Sequence, residues 1–142
     1  MKDPSGLIRT WLYGVLNATV SYGGVSVPVY SVAPKDAAFP YMLISSQTSD
    51  PEDGTKDTWI NTHNVQLEIY SSHTGNDASY VPVNTIANSA IQLIRTRSKV
   101  TIDSTFDVIS CTIAGLVTDH ILTDTHTIIY KSILINLEIE EK

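Results

Sequence analysis

The sequence predicts an α+β fold, a mainly antiparallel sheet covered by two helices in the order α-β-β-β-α-β-β. Three observations carry this. Two windows repeat apolar residues at helical spacing, several others alternate apolar and polar residues with the period of a strand, and no regular strand-helix alternation suggests a doubly wound parallel sheet. At 142 residues the chain has the size of one ordinary domain, so a single domain over 1–142 is expected.

Asp3 ahead of Pro4 fits an N-cap with proline at the first helical position, and Leu7, Ile8, Trp11, Leu12, Val15 and Leu16 then share one helical stripe. The first helix is expected to end near Asn17. Tyr22-Gly23-Gly24 reads as a turn, followed by Val25, Val27 and Val29 alternating with Ser26, Pro28 and Tyr30. Because Pro28 has no N–H, that strand belongs at an edge or is irregular. Tyr41 to Ile44 is an apolar run entering the core, and Val65, Leu67 and Ile69 alternate with Asn64, Gln66, Glu68 and Tyr70 in a strand with one buried face. Between them Ser49 to Thr58, with Asp50, Pro51, Glu52, Asp53, Gly54 and Asp57, is expected to be a solvated loop closing a long hairpin.

Val83, Ile86, Ala87, Ala90, Ile91 and Ile94 fall on a second helical stripe, predicting a helix over about 79–96 with Pro82 tolerated in its first turn. The remainder reads as strands: a short piece at 100–102, one from Phe106 to Thr118 and one from Thr127 to Ile139, with Ile129, Ile133, Ile135, Leu137 and Ile139 on one face. The lone Cys111, flanked by Val108, Ile109 and Ile113, is expected at a buried strand position.

Charge and motifs exclude more than they select. No window approaches the ~18 uninterrupted apolar residues of a membrane span, and the start of the chain lacks the order of a secretory signal. Nine basic against fifteen acidic side chains leave a net charge of −6, a balance that disfavours a grip on a phosphate backbone. Phosphate-binding and dinucleotide-binding glycine loops are absent, and no serine lies in a nucleophile elbow. His63, His73, His120 and His126 lack a zinc-site spacing, and the acidic segment lacks that of a calcium loop. The expectation is a chain with no catalytic residue, metal or cofactor. The residues with most to say are aromatic: Trp59 beside the acidic loop, and Tyr70 and Tyr130 on the polar phases of their strands. With Asp50, Glu52, Asp53 and Asp57 they are the candidate protein-interface residues, against the alternative that a second layer covers them.

From about Val20 to Ile94 the order of features resembles the tail-completion, or tail terminator, family of long-tailed bacteriophages. The resemblance rests on the amphipathic first helix, the proline-bearing strand, "SVAPKDAAFPYMLIS" with its Phe39-Pro40-Tyr41, the strand "HNVQLEIYSSHTG" and the helix that follows; "FDVIS" and "THTIIYKSILINLEIE" extend it. It implies a subunit of a ring, usually a hexamer, that caps the tail tube and contacts a head-completion or connector protein, with genomic DNA passing through unbound. It also implies a location in the virion tail or neck, reached from the host cytoplasm during assembly, and no membrane partner. A head-closure or other neck connector is the alternative within such a particle. A small-molecule-binding or accessory enzyme domain is the alternative outside it.

Overall fold

A computed structural model describes residues 2–52, 58–95 and 99–142. Its elements are α1 (Ser5–Leu16), β1 (Ser21–Tyr22), β2 (Val25–Ser26), β3 (Val29–Tyr30), β4 (Tyr41–Glu52), β5 (Trp59–Thr74), α2 (Val81–Ile94), β6 (Val100–Thr101), β7 (Phe106–Leu122) and β8 (His126–Glu141). The expected order α-β-β-β-α-β-β, with a sheet covered by the helices, is therefore wrong. The fold is mostly β: the four long strands hold 12, 16, 17 and 16 residues against 12 and 14 in the helices. The helices cover only one side.

A curled six-stranded sheet has the order β3-β4-β5-β8-β7-β6, with β1 and β2 forming a separate ribbon. That ribbon turns through Gly23 and Gly24, both at positive φ (61° and 79°), which is what a tight hairpin turn demands of glycine. Pro28 interrupts the next strand as its missing N–H requires. Its carbonyl still accepts from Met42 N at 2.9 Å, and β3 joins the sheet edge parallel to β4, the one parallel pair among the described residues.

Period-2 alternation sorts the long strands into two faces. Met42 and Ile44 of β4, Val65, Leu67 and Ile69 of β5, Val108 and Cys111 of β7, and Ile133, Ile135, Leu137 and Ile139 of β8 are buried. They meet Ile8, Leu12 and Leu16 of α1 and Val83, Ile86, Ala87, Ala90 and Ile94 of α2 in one core. Each such large aliphatic side chain contributes roughly 1.5–3 kcal/mol on full burial, so the helices are held by packing. Their caps are side chains slightly upstream: Asp3 Oδ1 accepts from Ser5 N at 2.9 Å, and Ser79 Oγ accepts from Val81 N at 3.2 Å.

An irregularity between Ile44 and Gln47 breaks the β4–β5 register. Arg9 of α1 uses it: its guanidinium donates to the carbonyls of Ile44 (2.8 Å) and Ser45 (2.9 Å) and to Gln47 Oε1 (3.1 Å). The fork pins α1 to the margin of the sheet.

Candidate protein-interaction surfaces

The opposite parity of the strands is covered by neither helix. Tyr41, Tyr70 and Tyr130 stand directly opposite one another across β4, β5 and β8, and Asp119 of β7 ends the row. Tyr41 and Tyr70 stack with ring centroids 5.2 Å apart, Tyr70 and Tyr130 lie at 5.8 Å, and Tyr30 of β3 meets Tyr41 edge-on at 5.8 Å. Phe39 adds a fifth ring, 5.2 Å from Tyr41. The four tyrosines are half-buried by one another. Cross-strand aromatic pairs of this kind stabilise a sheet while leaving polar hydroxyls at its surface.

A hydrogen-bonded strip follows along the strands. The Tyr70 hydroxyl donates to Glu68, and burial, reinforced by that bond, pushes its phenol pKa up. Gln66 Nε2 reaches both Glu68 Oε1 (3.1 Å) and Ser132 Oγ (3.2 Å), while Ser46 Oγ donates to Gln66 Oε1 at 3.0 Å. Asn136 then bonds Asn64 across the strands at 3.1 Å.

At the far end the face is ionic. Lys99 lies 2.9 Å from Asp107 and 2.7 Å from Glu140, and Lys142 lies 3.1 Å from Asp107. The Lys99 ammonium, with Lys142 beside it, holds the Asp107 carboxyl down to about 2. Aromatic, amide and ionic bands thus succeed one another along a single face.

The structure sorts the candidate residues unevenly. Tyr70 and Tyr130 come together in the ladder, joined by Tyr30 and Tyr41, which the sequence reading did not single out. Their signal was the tyrosine on the polar phase of each strand, but only the register puts Tyr41, Tyr70 and Tyr130 in one row, with Tyr30 opposite the adjoining Leu43. Trp59 stands apart: it begins β5, is 45 % exposed and lies about 36 Å from Tyr70 at the usual rise per strand residue. Asp50 is not in a loop. β4 runs to Glu52, with Asp50 opposite Thr62 and Glu52 opposite Ile60, because a strand paired along its length with β5 tolerates acids and a proline at a sheet margin. Asp53 and Asp57 fall outside the described residues.

Among the described residues no group of three or more His, Cys, Asp or Glu side chains could hold a metal ion. No described helix is long and apolar enough to cross a membrane. A cleft of about 270 Å³ lined by Ala78, Tyr80, His120, Leu122, Thr127 and Ile129 opens beside the start of α2, where the Tyr80 hydroxyl and His120 Nδ1 are 3.2 Å apart. Cys111 is fully buried, and burial pushes its thiol up to about 12.

No protein-family model matches the chain, and no curated protein matches it either. Among solved structures, a chain from the virion of a native gene transfer agent particle is similar over 96% of this chain and 90% of its own, with a TM-score of 0.62 and 9% sequence identity. At that identity the likeness is one of fold: nearly the whole of this chain folds like a chain of a virion particle.

Proposed function

We propose that this chain is a structural protein of a phage-like virion, and within it the ring-forming tail terminator that caps the tail tube and joins it to the head-completion proteins. The observation that carries the reading is the full-length likeness of fold to the gene transfer agent virion chain. The order of elements from the first helix through Phe39-Pro40-Tyr41 to the second helix supports the finer assignment. In this reading the chain catalyses no reaction, and its uncovered aromatic and polar sheet face meets protein. The partners are further copies of itself, the tail tube protein and the connector. DNA passes through the ring without being held, as the net charge of −6 favours.

Particles made without the chain test this. A cap that stops tube growth predicts overlong tails unattached to heads, and purified protein or intact tails should show sixfold rings by electron microscopy. Tails of normal length beside heads that lose DNA would assign the chain to head closure instead. A chain monomeric both alone and in particles would overturn the ring.

A further inference from the structure

The outer side of the helical layer carries no charge. α1 and α2 hold 12 and 14 residues, and Arg9 alone among them is charged, against 17 % of the whole chain. Arg9 is turned onto the sheet margin, where it meets Ile44, Ser45 and Gln47. What α1 exposes is Gly6, Thr10, Tyr13 and Gly14, and what α2 exposes includes Thr85, Asn88, Gln92 and Leu93. A helix that faces water ordinarily has charged residues on its outer side, whereas depletion of charge marks the centre of a protein contact.

Gly14 is a second sign. Glycine inside a helix weakens it relative to alanine, and Gly14 is not at positive φ. A methyl group there would meet no atom within 4 Å, so nothing within the chain asks for glycine. Its remaining use is to let another molecule approach the backbone closely.

The open sheet face has the opposite character. Asp50, Glu68, Asp107, Asp119, Glu138 and Glu140 stand on it against Lys99 and Lys142, which accounts for most of the acidic excess of a chain of net charge −6. Two such faces turned toward each other would set carboxylates against carboxylates, and a chargeless layer sets none. Beside the tyrosine row the face is apolar as well. Val117 (53 %), Ile121 (50 %) and Leu134 (40 %) are exposed on it, and they give a helix something to pack on.

The two surfaces lie on opposite sides of the sheet. A contact between them joins one surface of a copy to a different surface of the next, the heterologous kind from which rings are built, whereas helical layer against helical layer would close as a two-fold pair.

We infer that the outer side of α1 and α2 packs on the open sheet face of a second copy of this chain, with the exposed ring of Tyr13 meeting that face. The inference rests on the ring reading above and supplies its joint. The contact is made by side chains and needs no backbone pairing, so the bulges that guard the edge of β7 do not oppose it. Helices about 18 and 21 Å long and about 10 Å wide cover roughly 400 Å², about half of the ~800 Å² per partner of a standard interface. One joint is therefore weak, and a closed ring, in which each copy makes two, is the stable product.

Photo-cross-linking tests it. p-Benzoylphenylalanine placed at Tyr13 and irradiated in rings or assembled tails should give covalent oligomers, with the attachment mapped by mass spectrometry to open-face residues of another copy, Val117, Ile121 or Leu134 among them. Gly14→Arg should melt at or above the temperature of the parent and form no rings. Asn88→Glu, at an exposed position of α2, is the second variant and should also lose rings while melting like the parent.

Rings whose cross-links miss the open face, or rings formed by both variants, would overturn this joint and leave the ring standing. Cross-links from position 13 to α1 or α2 of another copy would overturn it in favour of a two-fold contact between helical layers. Monomers of the parent in solution and in particles would remove the ring and the joint together.

Discussion

His63 offers the sharpest test of the packing described above. Its side chain is fully buried on the helix-facing side of β5, and neither ring nitrogen has a hydrogen-bond partner among the described residues. Burial holds the imidazole pKa below its ordinary value of 6.5, with the carboxylate of Asp3 opposing only weakly. Replacing His63→Leu keeps a side chain of similar bulk and removes the unpaired polar atoms. An unsatisfied buried group costs about 1–3 kcal/mol, and an imperfect apolar fit gives back less than about 1.5 kcal/mol. The variant should gain about 1–2 kcal/mol at neutral pH, or about 3–8 °C in melting temperature for a domain of this size.

The sign of the pH dependence follows from the depressed pKa. Below 6.5 the unfolded chain takes up a proton on His63 that the folded chain still refuses, so the parent loses stability as pH falls through 6.5 until the folded pKa is reached. His63→Leu removes that contribution, and the gap between variant and parent should widen from pH 7.5 to pH 5. Thermal unfolding followed by circular dichroism across that range measures it. A variant less stable than the parent, with a gap that does not change with pH, would mean that the imidazole is well bonded and the reasoning wrong.

Other expectations concern the open face and the core. Lys99→Met should raise the Asp107 carboxyl from about 2 toward its ordinary 3.8; the stability this carboxylate contributes above 3.8 and loses as pH falls to about 2 would then disappear at a higher pH. Carboxyl-carbon NMR titration reads this directly, and an unmoved Asp107 would refute the ion pairs. Cys111, with its thiol at about 12, should resist thiol reagents at pH 8 in the native protein and react fully in denaturant; native labelling faster than unfolding would contradict its burial. Tyr70→Ala should cost about 0.5–1.5 kcal/mol for each of its contacts with Tyr41 and Tyr130, beyond the lost burial. Tyr70→Phe, which keeps the rings and loses only the bond to Glu68, should cost about 0.5–1.5 kcal/mol in all. Equal losses in urea denaturation would show that the stacking contributes nothing.

Both helices are spent on one face of the sheet, where α1 and α2 complete the core. The other face carries its own internal bonds from the tyrosine row to the Lys99–Asp107–Glu140 cluster, so it holds its side chains in place without a covering layer. A preorganised face of this kind loses little side-chain freedom when a partner arrives.

Local patterns in the sequence were enough to determine the two amphipathic helices, the alternating strands β5 and β8 and the burial of Cys111, because each depends on side-chain period within a window of ten to twenty residues. The same patterns placed Tyr70 and Tyr130 on polar phases. What lay beyond them was pairing. The two-residue strands β1, β2 and β3 are too short to show a period, and the parallel union of β3 with β4 depends on partners thirteen residues apart. The extension of β4 through Asp50 to Glu52 is set by β5, since the composition of that stretch alone favours a turn. That both helices share one side and that Tyr41, Tyr70 and Tyr130 form one row are consequences of register. Register is a contest between whole strands for a common core, and only the assembled sheet decides it.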